Sequence, residues 1–130
     1  METCRIADHE LENGLLLSIL DESRKIAADR WQVRIRFTVA VPVADHYGSI
    51  PPGKIPPMSE VLALLGPSAV YEKVKDRNFI SAEDKDDVLS ALVDTFMNDA
   101  APYLGRATFP GKYILKAFRD RQQPTLHAAS

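Results

Sequence analysis

Between Trp31 and Val41 every second residue is apolar: Trp31, Val33, Ile35, Phe37, Val39 and Val41 alternate with Gln32, Arg34, Arg36, Thr38 and Ala40. A period of two belongs to a strand with one face on a core and the other in water. Such a strand needs a partner, and residues 15–25 supply one less regularly. Their polar end, Asp21-Glu22-Ser23-Arg24-Lys25, pairs with the start of the second arm through a turn near Ala27–Arg30. Residues 11–43 therefore read as one long β-hairpin. Asn13-Gly14 marks a further turn with a short strand before it.

Residues 42–57 hold five of the nine prolines and two glycines, which predicts an extended, stiff connector. Ser59 is expected to cap a short helix that Gly66-Pro67 ends. Ala69–Lys75 reads as another strand, with Val70, Tyr71 and Val74 buried. Ser81 opens the clearest helix: acidic residues fill its first turns, and Val88, Leu89, Leu92, Val93 and Phe96 follow at helical spacing. Pro102 and Gly105 stop it, and Pro110 opens a last helix to about Gln122. Strands first and helices last predict an α+β fold of two layers: an antiparallel sheet built on the long hairpin, with helices packed on one face. Residues 1–123 are expected to form one domain, followed by a C-terminal tail at 124–130.

The 130 residues are 45% hydrophobic and 26% charged, enough to bury a core without disulfide or metal staples. A net charge of −2 gives the whole molecule no electrostatic pull on nucleic acid or anionic membrane. No apolar run approaches the length of a membrane span, and the N-terminus lacks the pattern of a signal peptide. Cys4 is the one cysteine, which fits a reducing compartment; the expected location is the cytoplasm.

The common signatures of nucleotide binding and hydrolysis are absent, and the expected metal and cofactor content is none. Asp21-Glu22-Ser23 resembles the Asp-x-Ser-x-x-Gly element of cyclic-di-GMP-binding PilZ domains. Ile26 stands where that element has glycine and the preceding arginine pair is missing, so nothing is carried over. Asp45-His46-Tyr47, beside the long strand, is the one place where a histidine base has an acid and a phenol next to it. Asp8-His9-Glu10 lacks metal-ligand spacing, and Cys4 has no local group except Arg5 to activate its thiol.

Charge is unevenly spread. Residues 24–36 carry Arg24, Lys25, Arg30, Arg34 and Arg36 against Asp29; residues 106–121 carry five more cations against Asp120. The helix at 81–99 is acidic. This pattern supports a non-catalytic binding module that contacts an anionic ligand or acidic protein partner through Arg24, Lys25, Arg34 and Arg36. The alternative is a small enzyme that acts on an anionic substrate, with His46 as acid–base and Asp45 and Tyr47 assisting. The hairpin's length further predicts a two-fold homodimer through the sheet.

Overall fold

In the computed structural model of the protein, residues 4–53 and 55–122 are described. The expected tail, with His127, lies outside the described residues. The chain is α+β, with five strands in one antiparallel sheet. It forms two compact units, Met1–Val39 with Glu72–Gly105 and Ala40–Tyr71 with Arg106–Ser130.

The alternating segment is β4 (Arg30–Pro42), and its inward row Val33, Ile35, Phe37, Val39 and Val41 is fully buried. The first arm is split into β2 (Leu16–Asp21) and β3 (Arg24–Ala27). One register against β4 runs across the split, with Leu17 facing Val39, Ile19 facing Phe37 and Arg24 facing Gln32, and it shifts between Lys25 and Ala27, where Ala27 faces Arg30. The split falls at Glu22-Ser23. Glu22 N–H still donates to the Arg34 carbonyl at 2.8 Å, but Arg34 N–H donates to the Ser23 hydroxyl at 3.0 Å. Asp21 fixes the kink by accepting from Ser23 N–H at 2.9 Å. A side-chain oxygen, the Ser23 hydroxyl, thus takes the place of a backbone acceptor for the Arg34 amide. Ala28, at a φ of 31°, and Asp29 make the hairpin turn.

β1 (Cys4–Glu10) pairs antiparallel with β2, as the Asn13-Gly14 turn predicts. Gly14 has a φ of 87°, and the Asn13 side chain accepts from Leu15 N–H at 3.1 Å. β5 (Ser68–Ser81) takes the other side of β4. It is longer than the Ala69–Lys75 strand expected. Val70 is 53% exposed rather than buried, because Ala69 and Tyr71 take the inward positions and alternation turns Val70 outward.

In the first unit α3 (Lys85–Asp99) and the short α4 (Ala101–Leu104) complete the core. Phe96 of α3 stacks on Phe37, with ring centroids 3.8 Å apart. Ser81 ends β5 instead of opening the helix: its hydroxyl and carbonyl both accept from Asp84 N–H, so the turn it makes precedes the helix. Pro102 sits in the first turn of α4, where its missing N–H costs nothing. The Asn13 amide donates to the Leu104 carbonyl at 2.8 Å and ties the β1–β2 turn to the end of α4.

The second unit contains α1 (Val43–His46), a 3-10 turn (Tyr47–Ser49), α2 (Met58–Leu65) and α5 (Phe109–Gln122). The connector is therefore not extended throughout: Val43–His46 holds no proline and coils at once after Pro42. Pro57, not Ser59, occupies the N-cap of α2, and Gly66, with a φ of 80°, ends it. Ile114 and Phe118 of α5 are buried while Lys112, Lys116 and Arg119 face water, as expected. Gly111 is fixed by contact: a Cβ there would overlap the Ser49 carbonyl, so the helix can approach the 3-10 turn only without a side chain.

Candidate functional site

The sheet positions two sets of charged side chains in the first unit, one on each face. Gln32, Arg34 and Arg36 alternate with the buried row of β4 and so line its outer face. Glu22 sits at the break between β2 and β3, and its carboxylate is the hub. Arg36 donates to it from Nε at 2.9 Å and from Nη2 at 3.1 Å, and Arg34 donates from Nε at 3.2 Å. β5 supplies the second acceptors: Glu72 lies 2.6 Å from Arg36 Nη1, and Asp76 lies 3.7 Å from Arg34 Nη1. The Glu22 side chain is only 16% exposed. Hydrogen bonds from Arg36 hold its carboxyl below the ordinary value; burial opposes this, and Arg34 adds to it. The two guanidiniums thus face three carboxylates.

Arg24 and Lys25, the other expected binding residues, lie exposed on β3. Arg24 Nε donates to Gln32 at 3.1 Å, and the Gln32 amide donates to Asn78 of β5 at 3.1 Å. Neither cation meets a carboxylate among the described residues. Of the four expected binding residues, the structure commits Arg34 and Arg36 internally and leaves Arg24 and Lys25 at the surface.

Asp45, His46 and Tyr47 fall on α1 and the 3-10 turn. Asp45 is exposed and His46 half-buried, and no side-chain hydrogen bond or ion pair joins His46 to Asp45 or to any other described residue. Tyr47 is occupied structurally: its hydroxyl donates to the Pro56 carbonyl at 2.8 Å and closes the proline loop. None of the three lines any cleft described below. Among the described residues no three His, Cys, Asp or Glu side chains gather as a metal-binding group, and no helix is long and apolar enough to cross a membrane.

What sequence reasoning missed is the other face of β5. Glu72, Asp76 and Asn78 bond to the outer-face residues of β4, so Lys73, Lys75 and Arg77 alternate onto the α3 side. None of these three cations makes an ion pair with a described residue; Arg77 Nη1 donates to the neighbouring Asp76 carbonyl at 2.7 Å. Arg77 also borders a groove of about 320 Å³, whose floor is Ile80 of β5 with Val88, Ala91, Leu92 and Thr95 of α3. At this end of β5 Phe79 is 71% exposed and adopts a φ of 57°. Among the described residues β5 pairs only with β4, which leaves its outer edge open. The period-two spacing of Lys73, Lys75 and Arg77 was the signal available in the sequence.

The second unit offers a different surface. Clefts along α5 are lined by Lys112, Leu115 and Arg119 with Pro51, and by Leu115, Phe118 and Arg119 with Ile55 and Pro56. Lys116 there is paired with Asp120 at 3.0 Å. These are helix-surface residues at ordinary spacing, and helix backbone offers a partner no open hydrogen-bonding groups. Compared with known protein families, curated proteins and solved structures, the chain matches none.

Proposed function

We propose that this protein is a non-catalytic interaction module, and that its contact surface is the outer edge of β5 with the groove beside it. Phe79 carries the reading. A phenylalanine left in water forgoes about 2 kcal/mol of burial, and a bulky side chain on left-handed backbone costs about 1 kcal/mol more. Both liabilities stand at one exposed position near the end of an unpaired strand edge, one residue before Ile80 of the apolar groove. Exposed aromatics that a partner buries are the residues that dominate protein interfaces. The internal pairing of Arg34 and Arg36 supports placing the contact here instead of on the hairpin's outer face. The exposed, free thiol of Cys4 supports cytoplasmic residence.

A photo-crosslinking amino acid at position 79 tests the proposal in the protein's own cells. A discrete covalent adduct with another polypeptide is expected, absent when the same group is placed at position 25. Equal, diffuse labelling from both positions overturns it.

Self-association through the sheet belongs to this reading at β1 and not at β5. A two-fold pairing of β5 with its own copy sets Lys75 against Lys75, or Lys73 against Arg77, and like charges directly opposed are destabilising. On β1 the charged residues are mixed: Arg5 lies 3.2 Å from Asp8 within one chain, and a two-fold axis can exchange that pairing between copies. Sedimentation equilibrium decides: twice the 14.5 kDa chain mass supports the dimer, and the single mass across micromolar concentrations removes it.

A further inference from the structure

Resting on that interaction reading, we infer that the partner of β5 is an extended acidic segment of another protein, added to the sheet as a further strand. The edge supplies the backbone groups. β5 is bonded to β4 along one side, so alternate N–H and C=O groups between Glu72 and Asn78 face outward. Strand addition uses such groups for affinity, and alternate side chains set specificity.

Charge selects the segment. Lys73, Lys75 and Arg77 occupy positions i, i+2 and i+4 on one face, about 7 Å apart, and no described carboxylate pairs with them. A strand with carboxylates at alternate positions places one opposite each cation. The opposite face of β5 is already neutralised, because Glu72 and Asp76 are paired to Arg36 and Arg34. Cations on an edge strand also serve to prevent edge-to-edge association. That role accounts for repulsion of a second copy, but not for an exposed Phe79 or an open apolar groove next to the row. Beyond Arg77 the groove is lined mostly by apolar side chains, Ile80, Val88, Ala91 and Leu92. An apolar residue at the end of the acidic run fits it.

The test is amide hydrogen exchange on the full chain with a synthetic peptide of alternating glutamate and valine that ends in phenylalanine. Slowed exchange within residues 72–78 is expected. Affinity is expected to fall about tenfold in the Lys73→Gln, Lys75→Gln, Arg77→Gln triple variant. The lysine counterpart of the peptide, and a version with central prolines, are expected to give no protection. Peptide binding without protection in β5, or binding unchanged in the triple variant, overturns the inference. Protection that rises with protein concentration in the absence of peptide identifies a second copy as occupant and also overturns it. If the position-79 adduct forms while the acidic peptide gives no protection, the interaction module stands and the acidic strand falls; if neither is seen, both fall.

Discussion

On the outer face of the sheet Arg34 and Arg36 each touch two carboxylates, whereas on the opposite face Lys73, Lys75 and Arg77 touch none among the described residues. Both rows ride on neighbouring strands at period two, and in the sequence both are simply cations in strands. The difference lies in what the register brings across. Glu22 arrives from the break in the first arm and Glu72 and Asp76 from β5, while nothing on α3 reaches the second row. A paired row contributes to folding and is spent as a binding surface. An unpaired row contributes little to folding and stays available.

The largest effect expected from this contrast is at its hub. Glu22→Gln removes the carboxylate that both guanidiniums share and should cost about 2 kcal/mol. That corresponds to a fall in melting temperature of roughly 8 °C. The Lys73, Lys75, Arg77 triple variant should melt at the wild-type temperature. Equal losses in thermal unfolding would erase the distinction between the rows.

A smaller change separates the two arginines. Arg36→Lys gives up the forked donors that reach both Glu22 oxygens and should cost about 1 kcal/mol. Arg34→Lys should cost less, because its contacts are 3.2 and 3.7 Å long. Urea titration of the two variants measures the order, and the reverse order would show that the hub is not centred on Arg36.

Acid probes the same hub without mutation. Because Arg36 holds the folded-state Glu22 carboxyl below its unfolded value, the stability it contributes is complete above the ordinary carboxylate range. It drains away as pH falls from about 5 through the folded-state value. The stability gap between wild type and Glu22→Gln should therefore narrow on acidification. A gap constant from neutral pH to pH 3 contradicts the ionic character of the hub.

The smallest effect belongs to the exposed aromatic. Phe79→Gly should raise stability by about 0.5 kcal/mol, since glycine adopts the 57° φ without a Cβ penalty. The same change should remove partner binding, which ties the strain to the contact surface. A destabilised Phe79→Gly chain would show that the side chain supports the fold.

The long hairpin was legible because Trp31–Val41 and its turn obey local rules, and so were the turn at Asn13-Gly14 and the inward face of α5. β5 was less so. Val70 and Val74 promised burial, but the inward register belongs to Ala69 and Tyr71, and which parity faces the core is decided by pairing with β4. Phe79 lies beyond the strand that the sequence predicted, and its exposure and left-handed backbone are properties of the folded chain that no local pattern announces. The arginines of β4 were legible as a charged face, but their partners come from 12 to 42 residues away along the sequence, beyond the reach of any local pattern.

The break at Glu22-Ser23 gives the hairpin a brake against unzipping. Its tip carries only the four exposed residues of β3 and a turn of two residues, which the Ala82 amide ties down by donating to the Asp29 carbonyl at 2.8 Å. An opening that advances from there meets Ser23, whose hydroxyl holds the Arg34 amide, and then the carboxylate that clasps two side chains of the opposite arm. Any fraying that starts at the tip therefore has to break this clasp before it reaches the base of the hairpin.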